Sequence, residues 1–232
     1  MLTAIIVAAG SSQRMGFDKL FALLDGNPVF FHSINVFERT ESVNEIIIVG
    51  RKDRLEEMEA IVRTHKWTKV REIVAGGVHR QDSVRAGLAR VGSSAEFVAV
   101  HDAARPLVTP EQIERVFDLC REHGGAALAE PITDTVKRAT EEGFVCESIE
   151  RDQLYAMQTP QLFSRARLEQ AYEAILAAKI SITDEVSALE HVGDKVVLVP
   201  NEECNFKITY PADLRLATFV IRQRQRPEGV GV

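Results

Sequence analysis

Leu2-Thr3-Ala4-Ile5-Ile6-Val7-Ala8-Ala9-Gly10-Ser11-Ser12-Gln13-Arg14-Met15-Gly16-Phe17-Asp18-Lys19 is an apolar run that breaks directly into a loop of small and basic residues. The run is too short to span a bilayer and has neither the basic start nor the cleavage site of a secretory leader, so it reads as a first buried strand. In open α/β sheets ligands sit at the carboxyl ends of strands, which makes Ala8, Ala9, Gly10 and the residues after them the first candidate site. Small residues let backbone N–H groups approach phosphate oxygens, and Arg14 and Lys19 add the fixed charge that a triphosphate needs. Ser12 stands where a GxGxxG fingerprint has its second glycine, and the Gly-Lys-Ser/Thr ending of a P-loop is absent. Taken alone, the loop fits an ordinary strand-to-helix turn with two solvated cations equally well.

Outward from this loop, short apolar runs recur at 4–8, 45–49, 70–74, 97–101, 126–129 and 196–199, with amphipathic segments between them. That alternation predicts a largely parallel sheet covered by helices. Thr109 caps one helix, Pro110 fits its first turn, and Gln112 completes a capping box ahead of the stripe Ile113, Val116, Phe117 and Cys120. Asn27 as cap with Pro28 in the first turn opens a second helix, and Leu55, Met58, Ile61 and Val62 mark the inner face of a third. The alanine-rich stretch 168–179 gives a fourth, and Pro211 opens the last.

Residues 135–139 and 144–150 break the pattern, because two alternating runs joined by Thr140-Glu141-Glu142-Gly143 read as a hairpin. An isolated two-stranded hairpin is marginal in water, so this arm, at about 132–152, is expected to pack on something else, a second subunit being the candidate. The tail 223–232, with Pro227, Gly229 and Gly231, is expected to fray. With no repeat or linker, the expectation is a single domain over 1–232: an α/β, Rossmann-like three-layer sandwich with a mostly parallel sheet and a projecting β-hairpin arm.

A chain of 232 residues that is 45% hydrophobic and 27% charged can bury one sizeable core, which excludes disordered and collagen-like classes. Its formal net charge of −6 argues against nucleic-acid binding, so a phosphate ligand must meet a local basic pocket. Cys120, Cys146 and Cys204 lie far apart with no CxxC pair, which points to no disulfide framework or zinc site and to a reducing cytoplasm, with no membrane partner. His32, His65, His79, His101, His123 and His191 have no metal-ligand spacing, and no serine lies in a GxSxG elbow.

Asp102, in His101-Asp102-Ala103-Ala104-Arg105-Pro106, falls at the end of a buried strand, where a carboxylate can face a nucleotide and, as a hard oxygen ligand, hold Mg²⁺. A loop-capping aspartate paired to Arg105 is the structural alternative. Read unaided, Ser83 is a helix cap, Thr135 a strand residue, Arg151 a solvated charge, and Lys207 unremarkable.

Further motifs stand in order: Gly76-Gly77 with Arg80 and Asp82-Ser83-Val84, Asp134-Thr135-Val136-Lys137-Arg138, Gln158-Thr159-Pro160-Gln161, Ile182-Thr183-Asp184-Glu185 and Asn205-Phe206-Lys207. With the first loop and the Asp102 segment, this set resembles the 2-C-methyl-D-erythritol 4-phosphate cytidylyltransferases over nearly the whole chain. The family usually has an acidic residue straight after the glycine pair, where this sequence has Val78. The resemblance implies a magnesium-dependent transfer of the cytidylyl group of CTP to a polyol phosphate, with pyrophosphate released.

The resemblance also implies roles. Arg14, Lys19 and Lys207 stabilise phosphate charge, and Ala8, Ala9, Gly10, Gly77, Arg80 and Ser83 bind the nucleotide. Asp102 holds the metal, while Arg105, Thr135, Arg151 and Thr183 orient the acceptor, with the arm forming a homodimer. A ribitol 5-phosphate cytidylyltransferase shares the nucleotide half and is the alternative within the class. A nicotinamide-dependent oxidoreductase would need an acidic ribose contact after the second strand, where Gly50-Arg51 stands. A nucleotide-binding regulator without chemistry would need neither a metal carboxylate nor an acceptor pocket.

Overall fold

The computed structural model describes residues 1–10 and 15–225. Among these the chain runs β1 (Leu2–Ala8), β2 (Leu23–Leu24), β3 (Asn27–Pro28), α1 (Val29–Arg39), β4 (Val43–Gly50) and α2 (Leu55–His65). It continues β5 (Val70–Ala75), α3 (Arg80–Leu88), β6 (Phe97–Asp102), α4 (Pro110–His123), β7 (Gly125–Pro131), β8 (Val136–Ala139) and β9 (Val145–Ile149). Last come β10 (Tyr155–Ser164), α5 (Arg165–Ala177), α6 (Glu185–His191), β11 (Val197–Pro200) and α7 (Pro211–Arg224).

The main sheet has seven strands in the order β11-β7-β10-β6-β1-β4-β5, all parallel except β10, which runs antiparallel to both neighbours. Its strands read as nearly continuous apolar runs because both faces are covered. Side chains alternate across a strand, so Leu2, Ala4, Ile6 and Ala8 of β1 join a core with α1, α2, α4 and α7, while Ile5 joins one with α3, α5 and α6. In β4, Ile46 and Ile48 face the first core, and Ile47 and Val49 the second. Three layers result, and no helix among the described residues is long and apolar enough to cross a membrane.

The capping box ahead of α4 forms as its residues dictate: Thr109 Oγ1 accepts from the Gln112 N–H at 3.3 Å, and Gln112 Oε1 accepts from the Thr109 N–H at 3.0 Å. The stripe behind it is buried at Ile113, Val116 and Cys120. Other expectations need correction. Pro28, not Asn27, precedes α1, and Asn27–Pro28 pairs instead with Leu23–Leu24 in a two-residue ladder that takes up the capping position. The tail is helical through Arg224, its guanidinium donating to the Leu107 carbonyl at 2.6 Å, while the expected fraying beyond 225 lies outside the described residues. β10 was not legible as a strand because Gln158-Thr159-Pro160-Gln161 interrupts it, and there its pairing with β7 shifts register at a cis Thr159–Pro160 bond.

The hairpin arm is present as β8 and β9, forming a two-stranded sheet separate from the main one. Its side chains are almost all exposed, Phe144 by 73% and Val145 by 67%. Strand order places a topological switch between β1 and β6, since the chain goes outward from β1 to β4 and β5 and then returns to β6 on the other side. A crevice at the carboxyl ends of these strands is the geometric consequence.

Candidate active site

A pocket of about 520 Å³ occupies that crevice. The end of β1 contributes Ala9 and Gly10, the turn from β5 into α3 contributes Gly77, Arg80 and Ser83, and the end of β6 contributes Asp102. Lys19 and Lys207 close it from the loops on either side, with Met15, Leu20, Val78, His79, Ala104 and Thr209 also in the wall. The sequence singled out none of these last six as ligands: Met15 and Ala104 stood inside motifs of the resemblance, Val78 and His79 marked the departure after the glycine pair, and Leu20 and Thr209 carried no signal.

The strand ends approach closely because Gly76 has no side chain: a Cβ there would lie 2.5 Å from Ala9 Cβ and 2.6 Å from Ser83 Oγ. Ser83 lies inside α3 rather than at its cap; its hydroxyl accepts the Gly77 N–H at 3.2 Å and donates to the His79 carbonyl at 3.3 Å. His79 is the capping residue, its N–H held by Asp82 Oδ2 at 3.1 Å. On the other wall, Lys19 donates to the Ile208 carbonyl at 2.7 Å. Asp18 fixes the turn beside it by accepting the Leu20 N–H, with Arg51 and Arg54 at 3.2 and 3.4 Å from its carboxylate.

At the centre, Asp102 Oδ1 accepts from Arg80 Nε at 3.1 Å and Oδ2 from Lys207 Nζ at 2.6 Å. Burial works against the charged carboxylate, yet the Arg80 and Lys207 charges overcome it and hold Asp102 well below the usual carboxylate range. Pairing with Arg105, the structural alternative, is not what forms. The Arg105 fork goes to the Asn205 carbonyl at 2.8 Å and the Met157 carbonyl at 3.2 Å, and burial lowers its pKa.

His101 secures the strand end from behind. A carbonyl can only accept, so His101 Nε2–H donates to the Arg105 carbonyl at 3.2 Å and Nδ1 takes the Thr159 hydroxyl at 3.1 Å. Thr159 Oγ1 in turn accepts the Asp102 N–H at 3.1 Å. The ring is fully buried, and that burial pushes its pKa down to about 3, so it is neutral. Asn205 Nδ2 donates to Gln158 Oε1 and to the Thr159 carbonyl at 3.0 and 2.9 Å, tying the Lys207 loop to β10.

The remaining candidates lie elsewhere. Ala8 is buried at the end of β1 without lining the pocket, and Thr183 is exposed on the loop before α6. Thr135 and Arg151 are exposed at the base of the arm, where the Arg151 guanidinium donates to the Thr133 carbonyl. Arg14 lies outside the described residues. Magnesium fits the donor set in one way: no cluster of three or more His, Cys, Asp or Glu residues able to hold a metal occurs among the described residues, and Asp102 is the carboxylate lining the pocket. A cation that keeps waters and takes substrate phosphates beside one protein carboxylate matches that set.

Small residues and cations gathered at a topological switch point, around one buried carboxylate, make a pocket suited to the phosphates of a nucleotide. The sequence model of the 2-C-methyl-D-erythritol 4-phosphate cytidylyltransferases matches residues 2–223. A relative of that name from Alkaliphilus metalliredigens is 37% identical over 98% of this chain and 95% of its own. Another, from Halalkalibacterium halodurans, is 36% identical over 97% and 98%. The crystal structure of 4-diphosphocytidyl-2C-methyl-D-erythritol synthase from Anaerococcus prevotii superimposes with a TM-score of 0.84 at 29% identity, over 96% of this chain and 98% of that one. The chain belongs to the 2-C-methyl-D-erythritol 4-phosphate cytidylyltransferase family.

Proposed function

We propose that the pocket around Asp102 carries the family's reaction through charge neutralisation and alignment alone, with no covalent enzyme intermediate. The reaction converts CTP and 2-C-methyl-D-erythritol 4-phosphate to 4-diphosphocytidyl-2-C-methyl-D-erythritol and pyrophosphate. Ribitol 5-phosphate is not the favoured acceptor, since the family model and the relatives carry the methylerythritol phosphate name. An oxygen of the acceptor's phosphate attacks the α-phosphorus of CTP in line, the bond from that phosphorus to the bridging oxygen breaks, and its electrons leave with pyrophosphate.

The nucleotide lies along Ala9, Gly10, Gly77 and Ser83, whose small side chains let phosphate and base approach the backbone closely. Lys19, Lys207 and Arg14 offset the repulsion between the two anions and stabilise charge on the pentavalent phosphorus. Asp102 would hold the magnesium ion. When bound, that ion shields the phosphate oxygens and the departing pyrophosphate. Arg105, Thr135, Arg151 and Thr183 orient the acceptor, Thr135 and Arg151 from a partner subunit whose arm reaches across. The exposed Phe144 and Val145 on an arm with little core of its own support that assembly.

The observation that carries the reading is that one carboxylate, Asp102, and three cations, Lys19, Arg80 and Lys207, line the same pocket. Calorimetric titration of CTP with and without Mg²⁺ tests it. Asp102→Asn is expected to erase the difference Mg²⁺ makes to CTP binding, and persistence of that difference would place the metal elsewhere.

A further inference from the structure

An arginine in the wall of a triphosphate pocket ordinarily reads as a phosphate ligand. Arg80 is already committed: Nη1 donates to both oxygens of Glu185, at 2.7 and 2.8 Å, while Nε donates to Asp102. Glu185 is fully buried, so no ligand reaches it directly, and its Oε1 also accepts the Tyr172 hydroxyl at 3.0 Å. A buried carboxylate matched to one guanidinium cancels that charge before any nucleotide arrives, which leaves Arg80 direction rather than net charge to contribute. Burial pushes the Glu185 carboxyl up, and the charge on Arg80 opposes it, as expected for a group whose ionised form depends on this partner.

The position of Glu185 is over-determined by its surroundings. Gln161 Oε1 accepts the Glu185 N–H at 3.1 Å, and Asp184 caps α6 by accepting the Ser187 N–H at 3.1 Å. Gln81, next to Arg80, accepts the Ile182 N–H at 2.9 Å, a second tie between the start of α3 and the loop carrying Thr183. One chain of contacts thus runs from that loop through Glu185 and Arg80 to Asp102.

We propose that Glu185 is a positioning residue: through Arg80 it sets the direction of the Asp102 carboxylate and fixes the Thr183 loop relative to the nucleotide pocket. The inference rests on the working role of Asp102 given above. Without the Glu185 charge, Arg80 turns its whole charge on Asp102, and the loop loses its main anchor to α3.

The test compares Glu185→Gln, which keeps shape and removes charge, with Glu185→Asp, which keeps charge, and with Tyr172→Phe, which removes only the supporting hydroxyl. Asp102→Asn is the control, and kcat and KM are measured separately for CTP and methylerythritol phosphate. Glu185→Gln is expected to lower kcat about 10- to 100-fold and raise the acceptor KM, with the CTP KM within about threefold. Glu185→Asp recovers part of kcat, and Tyr172→Phe loses about threefold in kcat while its melting temperature falls by only a few degrees and the protein stays folded at the assay temperature. Wild-type kcat in Glu185→Gln, or equal losses for both Glu185 variants, overturns the proposal. Should Glu185→Gln fail to fold, Tyr172→Phe decides: a reduced kcat supports the proposal and an unchanged one overturns it. Turnover retained in Asp102→Asn removes the underlying reading. Turnover lost there but unchanged in Glu185→Gln refutes this inference alone.

Discussion

Replacing Gly76 by alanine adds one methyl group where the segments that follow β1 and β5 meet beyond the strand ends. The new carbon would meet Ala9 Cβ at 2.5 Å and Ser83 Oγ at 2.6 Å. Non-bonded carbons rest at about 3.5–4.0 Å, so the strand ends must separate by about 1 Å. Overpacking of this kind costs about 1–3 kcal/mol, which lowers the melting temperature by about 2–4 °C per kcal/mol in a chain of this size. Ala9 and Ser83 both line the pocket, so the opening also moves the nucleotide's floor, and CTP affinity is expected to fall about tenfold, or about 1.4 kcal/mol. Gly87→Ala separates the two effects, since its Cβ meets Ile5 Cγ2 at 2.6 Å and Val49 Cγ2 at 3.0 Å inside the second core, away from the pocket. Urea unfolding and calorimetric CTP titration of both variants give the readout. Both lose stability and only Gly76→Ala loses affinity; wild-type affinity in Gly76→Ala, or equal losses in the two, would refute the reasoning.

Lys19→Ala removes a pocket cation, and stopped-flow kinetics with equilibrium binding are expected to show kcat falling about 100-fold while the CTP dissociation constant changes several-fold at most; equal losses would mean that Lys19 serves binding. The depressed pKa of buried His101 means that the unfolded chain takes the proton first, so stability is lost as pH falls from about 6.5 towards about 3. At about 1.4 kcal/mol per unit, the urea-derived stability gap between wild type and His101→Asn should narrow by about 2 kcal/mol from pH 7 to pH 5, and a constant gap would show that the imidazole is not held neutral. The proposed homodimer predicts that Phe144→Asp on the exposed arm shifts sedimentation from dimer to monomer and raises the acceptor KM with the CTP dissociation constant unchanged, whereas a monomeric wild type or an unaltered dimer would refute the arm's role.

The central parallel strands were legible because both faces are buried, which writes unbroken apolar runs such as Ile46-Ile47-Ile48-Val49. The hairpin arm was legible from the opposite cause, its alternation and polar turn. β10 was hidden because its middle serves the site: Gln158, Thr159 and Gln161 are buried polar residues spent on Asn205, His101 and Glu185, and no periodicity announces them. At the site, Lys19, Gly77, Arg80, Ser83, Asp102 and Lys207 could be named from motifs, and they do line one pocket. Which cation meets which carboxylate could not be read, since Arg80, Asp102, Glu185 and Lys207 are brought together only by the sheet's return to β6. Glu185 stood in a quoted motif beside Thr183, yet helical spacing gives the same letters to a solvated first turn. His101 looked like any strand residue until the Arg105 carbonyl and the Thr159 hydroxyl were placed on its two nitrogens.

Pyrophosphate release from the purified protein is the most direct test, with Mg²⁺ present or chelated and each of CTP, UTP and ATP offered methylerythritol 4-phosphate or ribitol 5-phosphate. Release with CTP and methylerythritol 4-phosphate, lost on chelation and lost in Asp102→Asn, is the expected result. Release that survives both chelation and the loss of the Asp102 charge, or that prefers ribitol 5-phosphate, would contradict it.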